Sequence, residues 1–159
     1  MGLEAKCSHL RKEVEELFKK NPEIYCPYFH EKVTLNSDGF HHLRYSNRSE
    51  RSKQEQILKF SLFPLAIPVI RQSGTVQEYR KGFIQISKSG KDKLSLLKQV
   101  EYWAFVAIVS DPQIKVRIIL RRVGDGKVIF WSIMPAVKLK NRDRLDIAHS
   151  LALDGIEDQ

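Results

Sequence analysis

Two adjacent histidines and a nearby arginine are the residues of this sequence best suited to chemistry. His41 and His42 are followed closely by Arg44. A free imidazole has a pKa of about 6.5, so it can accept and donate protons at neutral pH. A guanidinium binds phosphate through two parallel hydrogen bonds and stabilises negative charge that develops in a transition state. The pattern therefore indicates acid–base chemistry on a phosphate ester, and metal-free cleavage of RNA needs these groups.

The same histidines have an ordinary structural interpretation. Adjacent side chains point in different directions, so at most one imidazole is expected to enter a given site while the other packs against the core or caps a turn. Metal binding is disfavoured because His30, His41 and His42 lack the i, i+4 spacing and a neighbouring pair of carboxylates. The two cysteines, Cys7 and Cys26, have no partner at the spacing of a zinc site and are expected to be reduced thiols. The sequence predicts no metal and no cofactor.

A predicted strand over residues 114–123 carries a second group of cations. Side chains alternate between the two faces of a strand, so Lys115, Arg117 and Arg121 share one face. The other face is apolar, with branched residues at positions 114, 116, 118 and 120. The strand is therefore expected to cover a core on one side and to present cations on the other.

A hairpin is predicted to join this strand to the last one. The Gly-Asp-Gly segment at 124–126 is a strong signal for a tight turn. If positions 125 and 126 form the tip of the turn, Ser132 and Phe130 lie on the face that carries the arginines. Trp131 then lies on the apolar face. A shift of one residue in the turn would exchange these two faces, so the assignment depends on the turn type.

Basic residues are in excess over the whole chain and are concentrated around this strand and after it. The chain carries 27 Lys and Arg against 19 Asp and Glu, a net charge of +8. Between positions 115 and 144 nine basic residues stand against two acidic ones. We predict that Lys115, Arg121, Lys138, Lys140 and, near the histidines, Arg51 follow an RNA backbone. The alternative is a solvated sheet face whose long basic stems cover apolar neighbours.

The remaining pattern predicts an α+β fold. Apolar residues recur at spacings of three or four over Leu3–Lys20, which predicts a helix, and further helices are expected over 50–60 and 61–70. Strands are expected over 31–35, 75–80, 82–86, 100–109, 114–123 and 128–134. We therefore predict N-terminal helices packed on one face of a mostly antiparallel four- to five-stranded sheet, as a single domain over 1–144.

The two ends of the chain give simpler expectations. The N-terminus is charged throughout, and the longest apolar run, 102–109, is too short to span a bilayer. We therefore expect a cytoplasmic protein with no membrane partner. The acidic C-terminal tail, 145–159, is expected to be partly helical or disordered.

The order of these segments resembles the small bacterial and phage-associated nuclease domains of the barnase, EndoU, colicin and RelE type. The Phe40–Arg44 segment, followed by Leu62–Ile70 and Val76–Arg80, is similar to the first half of such domains. The strands Lys115–Leu120 and Ile129–Ser132 are similar to the closing half. The resemblance covers roughly positions 33 to 135 and leaves the first helix unexplained.

The resemblance implies a metal-independent endoribonuclease of toxin type. It implies that His41 or His42 is the acid–base residue, and that Ser132 forms a hydrogen bond to the substrate. It also implies an acidic antitoxin or immunity protein as a partner besides RNA. The residues implied to hold phosphate are Arg44, Arg117 and Arg121.

Two other functions fit the same residues. One is a non-catalytic nucleic-acid-binding module in which Tyr102, Trp103 and Phe130 stack bases beside the basic face. The other is an interaction subunit whose basic face meets an acidic protein. Salt-dependent RNA binding without turnover would favour the first, and co-purification with an acidic protein would favour the second.

Overall fold

The computed structural model describes residues 2–47, 49–89, 94–110 and 113–136. Lys138 and Lys140, two of the residues predicted to bind RNA, lie outside these ranges. The predicted acidic tail, 145–159, lies outside them as well.

The helices of the described residues precede most of the sheet. Helix α1 has the predicted bounds because its apolar spacing is regular, and it buries Leu10, Val14 and Phe18. Helix α3 begins later than predicted because Ser52 caps it by accepting a hydrogen bond from the backbone of Glu55. The helices are α1 (Leu3–Lys20), α2 (Ser37–Arg44), α3 (Lys53–Leu62), a 3-10 turn (Phe63–Leu65) and α4 (Ala66–Gln72).

A six-stranded sheet has the order β1-β2-β8-β7-β6-β5, and β3 and β4 form a separate two-stranded ribbon. All neighbours in the large sheet are antiparallel except β2 and β8, which pair in parallel at one position. The strands are β1 (Glu23–Cys26), β2 (Glu31–Thr34), β3 (Tyr45–Ser46), β4 (Ser49–Glu50), β5 (Glu78–Ser89), β6 (Leu94–Ser110), β7 (Gln113–Val123) and β8 (Ile129–Pro135).

The predicted α+β class and mostly antiparallel sheet are confirmed, with one strand more than expected. The extra strand is β1, in a stretch whose aromatic and proline content favoured an irregular conformation. It pairs with β2 from Glu23 opposite Thr34 to Cys26 opposite Glu31.

The expectation of two separate strands over 75–80 and 82–86 is wrong, because residues 78–86 belong to the single strand β5 and 75–77 precede it. Gly82, expected to begin the second of these strands, pairs with Val100 inside the continuous β5–β6 ladder. A Cβ at Gly82 would meet nothing closer than 4.0 Å, so the glycine marks neither a turn nor a tight contact.

The core lies between the helices and one face of the sheet. Phe130, which is fully buried, contacts the rings of Phe18 and Phe63 edge-on, at 6.2 Å and 5.1 Å between centroids. Further along the sheet, Trp103 and Phe105 pack against Phe29. Aromatic side chains bury large areas, so this cluster provides much of the hydrophobic stabilisation that fixes the helices to the sheet.

The assignment of Phe130 and Trp131 to the two sheet faces is wrong because β8 contains a bulge. Ser132 pairs with Ile119 as predicted, but the next pair is Phe130 with Leu120, so Trp131 is an extra residue without a partner in β7. A bulge re-aims the side chains that follow it. Phe130 consequently enters the core, and Trp131 lies half-buried outside it.

Candidate nucleic-acid site

Helix α2 carries both histidines and packs directly on β8. Asn36 begins the helix by accepting a hydrogen bond from the backbone N–H of Gly39 at 3.2 Å. Gly39 itself lies against the backbone of Phe130, where a Cβ would be far closer to the carbonyl oxygen than real contacts allow. Residues 36–39 therefore form the cap and first turn of the helix that places His41 and His42.

His42 makes a stacked contact with the re-aimed tryptophan. Its ring lies 4.2 Å from that of Trp131 at an interplanar angle of 20°, and its Nδ1 is 3.1 Å from the Trp131 carbonyl oxygen. A carbonyl oxygen only accepts, so Nδ1 must carry the proton and donate. Nε2 then keeps its lone pair and makes no hydrogen bond among the described residues.

The surroundings of His42 favour its neutral form. Burial lowers its pKa from the ordinary 6.5 to about 4, and the positive charges of Arg51, Lys59 and Arg121 act in the same direction. The hydrogen bond to Trp131 raises the pKa but is outweighed. At neutral pH His42 is therefore uncharged and able to accept a proton.

Arg121 reaches the same tryptophan from β7. Its guanidinium carbon lies 4.0 Å from the centroid of Trp131 and 5.7 Å from that of Tyr102 on β6. Its Nε is buried without a hydrogen-bond partner, and no acidic side chain forms an ion pair with it among the described residues. We call His42, Trp131 and Arg121 the Trp131 cluster. It joins an imidazole from α2 to a guanidinium from β7.

The outer edge of β8 explains why the cation of Lys59 is buried. Strand β2 ends at Thr34, so β8 has no strand neighbour on that side beyond Ile129. Side chains from the helices bind the exposed carbonyls instead: His42 binds Trp131, and Lys59 of α3 donates to Ile133 at 3.0 Å. An uncovered edge would leave these groups unsatisfied.

Lys59 also determines the hydrogen bonding of the Ser132 hydroxyl. Its ammonium is 3.1 Å from the Ser132 hydroxyl oxygen, and both residues are buried. An ammonium has only donors, so the serine oxygen accepts from it. The hydroxyl predicted to meet the substrate is thus held inside, beside the Trp131 cluster.

His41 and Arg44 form a second, more exposed group on α2. The His41 ring stacks on Tyr45 at 4.4 Å, and the Arg44 guanidinium carbon lies 5.3 Å from the same ring. Nε of Arg44 is buried without a partner. Because adjacent residues of a helix diverge, His41 points to Tyr45 while His42 points to Trp131.

The other predicted site residues are less available to a ligand. Arg117 is paired with Glu78, which neutralises its charge. Arg51 donates to the carbonyl of His42 at 3.1 Å and pairs with Glu55, so it fixes the end of α2. Lys115 is exposed on β7 and lies across from Ile108.

Of the predicted residues, His42 and Arg121 both contact the Trp131 ring, and Ser132 is the next residue along β8. Sequence reasoning missed Trp131 and Lys59. The bulge that re-aims Trp131 leaves no trace in the alternation of the strand, and Lys59 has the ordinary spacing of a charged residue on an amphipathic helix. The truncated β2, ending in a turn signal, was the one indication that β8 would need side-chain donors.

Neither a metal site nor a membrane-spanning helix is found within the described ranges. No group of three or more His, Cys, Asp or Glu in those ranges has the geometry to hold a metal ion. No helix in them is long and apolar enough to cross a membrane.

Comparison with protein-family models, with curated proteins and with solved structures gives no match to this chain.

Proposed function

We propose that this chain is a metal-independent endoribonuclease of toxin type that holds an RNA phosphate at the Trp131 cluster. One observation carries the proposal: His42 and Arg121, from opposite halves of the chain, contact the same tryptophan ring. Acid–base catalysis on a phosphate ester requires an imidazole and a cation within reach of one group. Arg121, without an acidic partner among the described residues, is the guanidinium best placed to bind that group.

The proposed reaction uses the lone pair on Nε2 of His42. This nitrogen accepts the proton of a 2′-hydroxyl, whose oxygen then attacks the adjacent phosphorus. The bond from phosphorus to the 5′-oxygen breaks, which leaves a 2′,3′-cyclic phosphate and, once the leaving oxygen gains a proton, a 5′-hydroxyl. Because its pKa is lowered, mainly by burial, His42 is uncharged at neutral pH and the lone pair on Nε2 is available to accept a proton. The leaving oxygen takes its proton from water, because His41 points to Tyr45 and away from the Trp131 cluster.

The chemical nature of the cleaved RNA ends tests the proposed reaction. Purified protein in EDTA is incubated with a single-stranded RNA and with the same sequence carrying 2′-O-methyl groups throughout. We expect the RNA alone to be cut, with cyclic phosphate ends, and His42→Phe to slow the reaction by about 100-fold or more. Cleavage of the methylated strand, or cleavage that needs a divalent cation, would contradict the proposal.

A second candidate is a non-catalytic RNA-binding module acting through the same cations. It is favoured by the state of His42, whose Nδ1 is used by the backbone and whose ring is stacked, as in a structural histidine. Such a module would bind RNA in a salt-dependent manner and leave it intact over hours. Turnover in EDTA that is lost in His42→Phe would exclude it.

The toxin assignment adds a protein partner and a location to the proposal. A ribonuclease made in the cytoplasm needs an inhibitor, and the charge of +8 suits an acidic antitoxin or immunity protein. Co-expression with such a partner should abolish cleavage and should become less effective as the salt concentration rises.

A further inference from the structure

The sheet face beside the Trp131 cluster carries one aromatic side chain with the position of a base-stacking residue. Three aromatics were candidates for stacking, but Trp103 is 6% exposed and Phe130 is fully buried, so both belong to the core. Tyr102 is different: it is partly exposed and lies directly opposite Arg121 in the β6–β7 register. Opposed residues of an antiparallel pair share a face.

Cations flank Tyr102 on both sides across the strands. Arg121 lies 5.7 Å from its ring on the β7 side, and the exposed Arg80, whose guanidinium is 3.8 Å from the Glu78 carboxylate, is its partner on β5. The Tyr102 hydroxyl makes no hydrogen bond among the described residues, so the polar end of the side chain is available to a ligand. An aromatic face between guanidinium groups is the arrangement with which proteins stack a base while holding the adjoining phosphates.

We infer that Tyr102 is a nucleobase platform that makes this face select single-stranded over duplex RNA. The inference rests on the proposed function only in taking RNA as the ligand, and it holds whether or not the chain cuts it. Bases within a duplex are already stacked on each other, so they cannot lie on a protein ring without being unpaired. The row from Trp131 through Arg121 and Tyr102 to Arg80 crosses β8, β7, β6 and β5. Neighbouring strands lie about 4.8 Å apart, so the row spans about 14 Å.

Fluorescence anisotropy with three labelled probes tests the inference. The probes are a single-stranded 2′-O-methyl RNA octamer that cannot be cut, an abasic version of it, and a duplex of the same sequence. Wild-type protein should bind the octamer at least tenfold more tightly than the other two. Tyr102→Leu should lose about tenfold of the affinity for the octamer, since one stacked base contributes on that order, and almost none of the affinity for the duplex.

Three variants make the result interpretable. Tyr102→Phe and Tyr102→Trp keep an aromatic face and should bind the octamer as wild type does, which also guards against loss of folding in the leucine variant. Tyr25→Leu removes another exposed tyrosine, on β1 at the far end of the sheet, and should change nothing.

Each outcome separates the inference from the proposed function. Equal affinity of wild type for octamer and duplex, or unchanged octamer binding in a folded Tyr102→Leu protein, would overturn the inference even if the enzyme cuts RNA. Selective octamer binding that depends on Tyr102, together with no cleavage of any RNA, would uphold the inference and overturn the proposed cleavage.

Discussion

Replacing Gly39 with alanine is expected to separate α2 from β8 and so to disturb the Trp131 cluster from a distance. The added Cβ would meet the Phe130 carbonyl oxygen far inside the 3.0 Å that real Cβ contacts respect, and it would lie 3.3 Å from the Phe130 ring. Backbone oxygen cannot rotate away as a flexible side chain can. The helix must therefore move, and His42 moves with it.

The magnitude follows from two opposing effects. Forcing extra volume into a packed contact costs roughly 1–3 kcal/mol. Alanine is a better helix former than glycine by about 1 kcal/mol, which offsets part of this cost. We expect a net loss of about 1–2 kcal/mol in the free energy of unfolding. For a chain of this size, such a loss lowers the melting temperature by roughly 3–8 °C.

Thermal unfolding and RNA cleavage are measured on Gly39→Ala and on the control Gly74→Ala, where an added Cβ meets nothing within 4 Å. The control should match wild type or be slightly more stable. Gly39→Ala should be less stable, and its folded form should cleave RNA more slowly. If the two variants have equal stability and activity, the packing of α2 on β8 does not hold the site.

Three further predictions concern single side chains. Because the pKa of His42 is about 4 in the folded chain and 6.5 when it is unfolded, the unfolded state binds protons first as the pH falls. Stability should drop by about 1–2 kcal/mol between pH 6.5 and 4 after allowance for the partly exposed ring, and His42→Phe should flatten this part of the profile. Lys59→Met leaves the Ile133 carbonyl and the Ser132 oxygen without their donor, so urea unfolding should show a loss of about 2 kcal/mol that the exposed-site variant Lys12→Met does not show. Arg121→Met should reduce the salt dependence of RNA binding by about one phosphate contact, whereas the Glu78-paired Arg117 should contribute less when replaced in the same way. Salt slopes that are the same for both arginine variants would show that the ion pair does not distinguish them.

The sequence was sufficient for elements whose pattern is periodic. The bounds of α1 and the alternation of buried and more exposed side chains along β7 follow from spacings of 3.6 and 2 residues. Both are set by local side-chain alternation, which a sequence displays directly.

The sequence was insufficient where tertiary contacts determine the structural role of a single residue. A single extra residue at Trp131 shifts the register of β8, and no local pattern predicts it. Gly39 resembles a turn residue but serves as a contact surface for a helix. The low pKa of His42 comes from burial and from the cations Arg51, Lys59 and Arg121, which only the packing of the chain brings near it.

The most direct test of the account is the rate of RNA cleavage in EDTA by Arg121→Met compared with Arg71→Met, which removes an exposed arginine of α4. We predict that Arg71→Met cuts RNA at the wild-type rate and that Arg121→Met is about 100-fold slower, with unfolding temperatures close to that of wild type. Equal rates for the two variants would contradict the claim that the Trp131 cluster holds the reacting phosphate.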